Sequence, residues 1–176
     1  ENYVRDRVRA ASETLEAGDH RPSFELIKEA GKLGLLGADI PESYGGLNLG
    51  PTTSALIAER VGAGGSFGIT FNVHIGIGTL PITLFGNERQ KRKYLPGLAS
   101  GDKIPAFALT EPDAGSDALA GRTTAEPTSD GSGFVLNGRK QWITNAGLAD
   151  VFVVFAKVGG AMAALLVDRN SDGVGI

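Results

Sequence analysis

The run Phe107-Ala108-Leu109-Thr110-Glu111-Pro112-Asp113-Ala114-Gly115-Ser116-Asp117 sits just past the point where the chain changes character. It begins apolar and extended, then turns into a small polar loop containing Gly115 and Ser116. Such a loop can aim backbone N–H groups and a hydroxyl at one bound polar ligand. The other reading of the same residues is a plain hydrophilic loop with three carboxylates, Glu111, Asp113 and Asp117. A calcium loop would need oxygen ligands at alternating positions, which Ala114 and Ser116 interrupt. Neither a G-x-G-x-x-G nor a Walker pattern occurs anywhere in the chain.

On the amino-terminal side of this run the sequence reads as helices. Phe24, Ile27 and Ala30 form an apolar stripe that starts after Pro22-Ser23 and closes at Gly34. Pro51 suits the first turn of a helix over Ser54–Val61. Ser66–Ile77 is apolar nearly all round and predicts a buried helix. Asn87 caps a charged helix over Glu88–Leu98, with Glu88 early and Lys91, Arg92 and Lys93 later, an order that suits the helix dipole.

On the carboxy-terminal side it reads as strands. Ile104–Leu109 is a short apolar run. Arg122–Thr128 and Gly133–Lys140 flank Ser129-Asp130-Gly131-Ser132, a hairpin loop with the Asp-Gly turn signal. Val151–Val158 is continuously apolar, as in a strand buried on both faces, and Gly159-Gly160 turns it back into Ala161–Asp168. Helices and strands segregate, which predicts an α+β protein: an all-α unit over residues 1–103 and an antiparallel β unit over residues 104–176. The β unit has few strands to close on itself and is expected to be an incomplete barrel or sandwich, part of a longer protein.

Composition narrows the function classes. Hydrophobic residues make up 41% and charged residues 21% of the 176, the balance of a globular chain. The longest apolar runs, such as Val151–Ala156, read as too short to cross a bilayer. The net charge of −3 includes no basic block, so nucleic-acid binding is unsupported. There is no cysteine, which excludes disulfides, thiolate metal sites and a cysteine nucleophile. His20 and His74 lie too far apart in sequence to suggest a metal site. His74, on the apolar helix, reads as a structural histidine, and Lys91–Lys93 as an exposed helix face.

Gln141-Trp142-Ile143-Thr144-Asn145 is the second candidate element. Trp142 is the only tryptophan, and a lone tryptophan is most often a core residue. Following the strand that ends near Lys140, it could instead lie against a planar ring while Thr144 donates a hydrogen bond to that ring.

Strings along the whole chain resemble the acyl-CoA dehydrogenase family. They are Leu33-Gly34-Leu35-Leu36-Gly37 with Pro41-Glu42-Ser43-Tyr44-Gly45-Gly46, then Phe85-Gly86-Asn87-Glu88-Arg89-Gln90-Lys91-Arg92-Lys93-Tyr94-Leu95-Pro96. Leu109–Asp117 and Leu136-Asn137-Gly138-Arg139-Lys140-Gln141-Trp142-Ile143-Thr144-Asn145 follow in order. Gly147–Lys157 is most similar to long- and very-long-chain members.

The resemblance implies FAD as cofactor, an acyl-CoA thioester as substrate and dehydrogenation between its α and β carbons. Position by position, Phe107, Leu109 and Thr110 would line the flavin ring. Gly115 and Ser116 would meet its polar side and pyrophosphate, with Ser116 also near the substrate's pantetheine arm. Trp142 and Ile143 would pack near the ring system, and Thr144 would bond near the atom that accepts hydride. Ser66–Ile77 and Thr79–Leu84 would wall the acyl pocket. Phe107 lacks the hydroxyl of the tyrosine some relatives carry, and Asp113 replaces a commonly small residue. The family's base is a glutamate on a carboxy-terminal helical domain, so no catalytic residue is expected within residues 1–176, and Glu111 belongs to the flavin loop. The fragment alone is therefore expected to be inactive.

The resemblance further implies an electron-transferring flavoprotein as acceptor and a homo-oligomeric full-length protein. The expected compartment is the cytoplasm in a bacterium or the mitochondrion in a eukaryote. An acyl-CoA oxidase of the same fold, or a non-catalytic acyl-CoA- or protein-binding module, are the alternatives.

Overall fold

The computed structural model describes residues 1–176. Short irregular helical turns lead into α1 (Ser12–Glu16), followed by α2 (Arg21–Lys32), α3 (Pro51–Gly62), α4 (Ser66–Val73), α5 (Leu80–Phe85) and α6 (Glu88–Ser100). Strands follow: β1 (Pro105–Ala108), β2 (Thr124–Pro127), β3 (Phe134–Asn137), β4 (Val151–Val158) and β5 (Ala161–Asp168). The segregation read from the sequence is the architecture observed.

α2 buries Ser23, Leu26, Ile27 and Ala30, one face at helical spacing. That face meets Val4, Val8, Leu36, Val61, Phe67, Phe71 and Ile75 in the helical core. The chain leaves α2 through Gly34 at φ +74, a left-handed position where glycine is at no steric disadvantage.

α6 starts on a reciprocal cap. Asn87 Oδ1 accepts from Gln90 N at 2.9 Å, and Gln90 Oε1 accepts from Asn87 N at 2.9 Å. Asn87→Ala removes one half of this box, and an expected loss of about 1 kcal/mol can be read by denaturant unfolding. Tyr94, Leu95, Leu98 and Ala99 on α6 pack against Val151 and Val153 of β4, joining helices to sheet in one core. Lys93 Nζ adds a 2.6 Å ion pair to Asp168 at the end of β5.

The sheet has β4 at its centre. β5 runs antiparallel along the whole of β4 from Val151↔Asp168 to Val158↔Ala161. The turn between them, Gly159 at φ +57 and Gly160 at φ +88, has the two positive φ values a tight hairpin needs. On the other edge, β1 lies along the first half of β4 in parallel. β2 meets the far end of β4 at Thr124↔Lys157, also parallel, and pairs antiparallel with β3. The sheet is therefore open and mixed, where the sequence reading had it antiparallel. The long connection from Leu109 to Asp150 lets the chain return to start β4 in the direction of β1, which a short hairpin cannot do.

Two further expectations are corrected. Ser66–Ile77 is not one buried helix: α4 ends at Val73, a wide turn covers His74–Gly78, and Gly76 leaves helical geometry at φ −89, ψ −110. Ile69 and Ile77 face outward. The helical stretch Ser66–Phe85 is also, at 20 residues, long and apolar enough to match a membrane span, contrary to the reading that no run is. Its inner face is accounted for within the protein, since Phe67, Phe71 and Ile75 sit in the helical core.

Candidate functional site

Two loops leave the sheet beside each other, Leu109–Asp117 after β1 and Gly138–Asn145 after β3. Gln141 N donates to Thr110 O at 2.9 Å, so the two elements singled out in the sequence touch through their backbones. Lys140 Nζ reinforces the contact, donating to Leu109 O at 3.0 Å and to Glu111 Oε1 at 2.7 Å. Glu111 also bridges back to Ala114 through paired backbone bonds, which closes the tight turn.

Glu111 is buried, and burial by itself would raise its pKa. Hydrogen bonds from Lys140, Thr123 and Arg122 outweigh that and hold the carboxyl at about 2. Both oxygens are occupied: Arg122 N donates at 2.6 Å to one and Thr123 N at 3.0 Å to the other. A carboxylate so held is ionised and unavailable as a proton acceptor near neutral pH.

The other loop acids stay at the surface. Asp113 faces Arg122 at 3.4 Å in an exposed pair, a contact of small energetic weight. No group of three or more metal-ligating side chains occurs.

Trp142 is not a core residue. It is 84% exposed and sits at φ +58, a left-handed conformation that is an outlier for a bulky side chain. A large ring held outward by a strained backbone suits a face that covers a ligand. Ile143 instead turns inward against Ala106 and Phe152. Asn145, at φ +67 and buried, anchors the loop: its Nδ2 donates to Thr70 O of α4 at 3.1 Å and to Pro105 O at 3.4 Å.

Phe107 lies elsewhere. Its ring packs on Phe155 with centroids 4.9 Å apart, alongside the cluster of Val151 and Val153. Phe107 pairs with Val153, whereas Ala106 pairs with Phe152. Alternation along β1 and β4 thus puts Phe107 and Ile143 on opposite faces of the sheet.

Thr110 and Thr144 are half-buried, and Gly115 and Ser116 are exposed at the outer end of their loop. Backbone bonds of these loops leave the N–H groups of Thr110, Gly115, Ser116, Ile143 and Thr144 without a main-chain acceptor. Gly115 has no internal reason to be glycine, because a Cβ there would meet nothing within 4 Å. The constellation is a set of free donors beside an exposed aromatic plane, which fits a flat ligand with a polar edge.

His74 is no part of it. The side chain is fully buried in the helical unit, its Nε2 bonded to Leu98 O at 2.9 Å, and burial pushes its pKa down to about 4. It is the structural histidine expected. Lys140 and Asn145 carry the loop contacts, yet their roles were not legible in the sequence. The only local signal was that both lie in the string around Trp142.

Comparison with known proteins shows the family. Residues 1–102 match the family model "Acyl-CoA dehydrogenase, N-terminal domain", and residues 106–176 match "Acyl-CoA dehydrogenase, middle domain". A probable acyl-CoA dehydrogenase of Bacillus subtilis (strain 168) is 53% identical over 175 residues, covering 99% of this chain and 30% of that protein. The mitochondrial very long-chain specific acyl-CoA dehydrogenase of Macaca fascicularis is 43% identical over 176 residues, covering 94% of this chain and 26% of that one. Among solved structures, the FAD complex of an acyl-CoA dehydrogenase from Bacillus anthracis superposes with a TM-score of 0.96 at 52% identity. It covers 99% of this chain, which spans 30% of that structure.

Proposed function

The chain belongs to the acyl-CoA dehydrogenase family, and from this premise we propose that it forms the helical and flavin-binding portions of an FAD-dependent enzyme that desaturates long-chain acyl-CoA thioesters. The observation that carries the reading is the pairing of two backbone-linked loops with unclaimed N–H donors and an outward-facing tryptophan. The FAD-complexed relative at 52% identity supports the choice of ligand, and the very long-chain relative supports the choice of substrate.

Bound flavin supplies the acceptor for the hydride that leaves the β carbon. Thr110, Gly115, Ser116 and Thr144 hold the polar side of the cofactor through N–H and hydroxyl donors. Trp142 and Ile143 support the ring system and Leu109 lines the approach from β1, whereas Phe107, on the other face of the sheet, is left out of the site. Ser116 also meets the thioester arm. The proton beside the carbonyl requires a base, which the resemblance to the family implies is a glutamate of a carboxy-terminal helical domain. Neither Glu111, fully bonded, nor His74, sealed among the helices, stands in for it. We assign that role to a side chain outside residues 1–176. The complete enzyme is proposed to work as a homo-oligomer that passes electrons to an electron-transferring flavoprotein, in the cytoplasm of a bacterium or the mitochondrion of a eukaryote.

The test is the visible spectrum of protein made from the complete reading frame, without oxygen, before and after addition of a long-chain acyl-CoA. Flavin bands that bleach on addition are the expected result. A colourless protein that cannot be reconstituted with FAD would sink the reading. Peroxide release during aerobic turnover would instead reassign the acceptor to oxygen.

Two substitutions separate site from scaffold. Trp142→Asn removes an exposed ring at a left-handed position that asparagine tolerates, so folding should stay within about 0.5 kcal/mol of wild type. The loss of ring stacking should weaken FAD binding about 10-fold. Gly115→Ala should likewise leave folding unchanged, since its Cβ meets nothing, while crowding the bound cofactor. Fluorescence titration of the apoprotein with FAD reads both effects.

A further inference from the structure

The buried pair Glu111–Lys140 lies between the two halves of the site. We propose that it is a positioning clamp, one that fixes the amide of Thr110 toward the polar edge of the flavin; the inference rests on the FAD reading above.

Three consecutive residues of one loop are held by two consecutive residues of the other. Lys140 Nζ takes Leu109 O at 3.0 Å and Glu111 Oε1 at 2.7 Å, and Gln141 N takes Thr110 O at 2.9 Å. In a planar trans peptide the C=O and the following N–H point in opposite directions. Turning Leu109 C=O toward Lys140 therefore turns Thr110 N–H away from it, and that N–H has no main-chain acceptor. The next peptide is fixed the same way: Thr110 C=O faces Gln141, and Glu111 N–H is used by Ala114 O at 2.9 Å. Lys140 thus decides which way the loop presents its donor.

Glu111 extends the clamp to a third segment. Its carboxylate takes Arg122 N at 2.6 Å and Thr123 N at 3.0 Å, just before β2. A Cβ on Gly121 would come 3.2 Å from Oε1, so the carboxylate sits in a close-fitting slot. The side chains are only 7% and 12% exposed for Glu111 and Lys140, so the pair is desolvated. Buried ion pairs contribute little net stability compared with apolar pairs of the same shape, because desolvation offsets their attraction. What this one supplies is direction and register.

The clamp predicts that flavin affinity and folding separate. Removing only one partner strands a buried charge, so the informative protein is the double variant Glu111→Gln/Lys140→Met in the complete protein, beside Lys140→Arg. The probe is FAD itself, titrated into apoprotein by flavin fluorescence, with far-UV circular dichroism and the unfolding midpoint recorded on the same samples. The double variant should keep the wild-type far-UV spectrum with a lower unfolding midpoint, because Gln offers Arg122 N and Thr123 N only one acceptor oxygen. It should bind FAD at least 10-fold more weakly, while Lys140→Arg keeps most of the affinity. A folded double variant with wild-type FAD affinity overturns the clamp. Loss of the fold in the double variant assigns the pair to folding and overturns it as well. Wild-type apoprotein that takes up no FAD removes the functional reading, and the clamp with it.

Discussion

Gly31→Ala is expected to destabilise the chain by about 3 kcal/mol, at the upper end of what overpacking costs. A Cβ at Gly31 would stand 2.0 Å from Ser100 O and 2.4 Å from Ser100 C, where α6 ends against α2. Both neighbours are backbone, so no side chain can swing aside. The reverse contact is as tight: a Cβ on Gly101, itself at φ +77, would lie 2.6 Å from Ile27 O. The two segments cross at a distance only glycine on each side permits. Alanine returns about 1 kcal/mol of helix propensity, which cannot offset a displaced helix end that also carries Leu98 and Ala99 into the interhelical and sheet core. Urea unfolding measures the difference, with Gly147→Ala as control because its Cβ meets nothing within 4 Å. A loss below 1 kcal/mol would mean that α2 and the end of α6 are not held at this separation.

Such close approaches show what the sequence could and could not tell. Asn87 announced the start of α6, Gly159-Gly160 the turn between β4 and β5, and Asp130-Gly131 the hairpin between β2 and β3, because each of these acts over a few residues. The parallel pairing of β1 with β4 joins Pro105 to Val151 and depends on how everything between them folds. Periodicity cannot carry that information. The break at Gly76 is not legible in the sequence because a glycine in an apolar run is compatible with a continuous helix, at a modest cost. Only its neighbours decide the matter: a Cβ on Gly78 would strike Pro105 Cγ at 2.7 Å, so the turn is pressed onto β1.

The site was legible to a similar depth. Thr110 and the Trp142 string stood out, and the structure joins them through Gln141. What could not be read was the support. Lys140 looks like any surface lysine in the sequence, and Glu111 like any loop acid, until a fold brings them to 2.7 Å. Trp142 shows the converse. Tryptophan's size argues for the core, and only the backbone angle and exposure reveal that this one is held outward.

Acid should destabilise the chain in two stages. His74 titrates at 6.5 in an unfolded chain but only at about 4 when folded, because burial disfavours its charged form. Between those values the unfolded state binds the proton and the folded state does not, so stability falls as pH drops from 6.5 to about 4. That difference is worth roughly 3 kcal/mol. Glu111 acts lower down. Its folded pKa of about 2 lies beneath the unfolded 4.5, so the stability of its ionised, fully bonded form is lost as pH falls from 4.5 to about 2, again roughly 3 kcal/mol. Domains of this size have only about 5–15 kcal/mol in all, so the upper stage alone should lower the urea midpoint markedly by pH 4. Two variants assign the stages. His74→Gln should flatten the fall between pH 6.5 and 4 and leave the lower one in place. The Glu111→Gln/Lys140→Met protein should keep the upper fall and lessen the lower one, to which Asp19 and Asp130, also held at about 2 by their hydrogen bonds, contribute. An unchanged upper stage in His74→Gln would place the titrating group elsewhere and contradict a histidine buried in neutral form against Leu98 O.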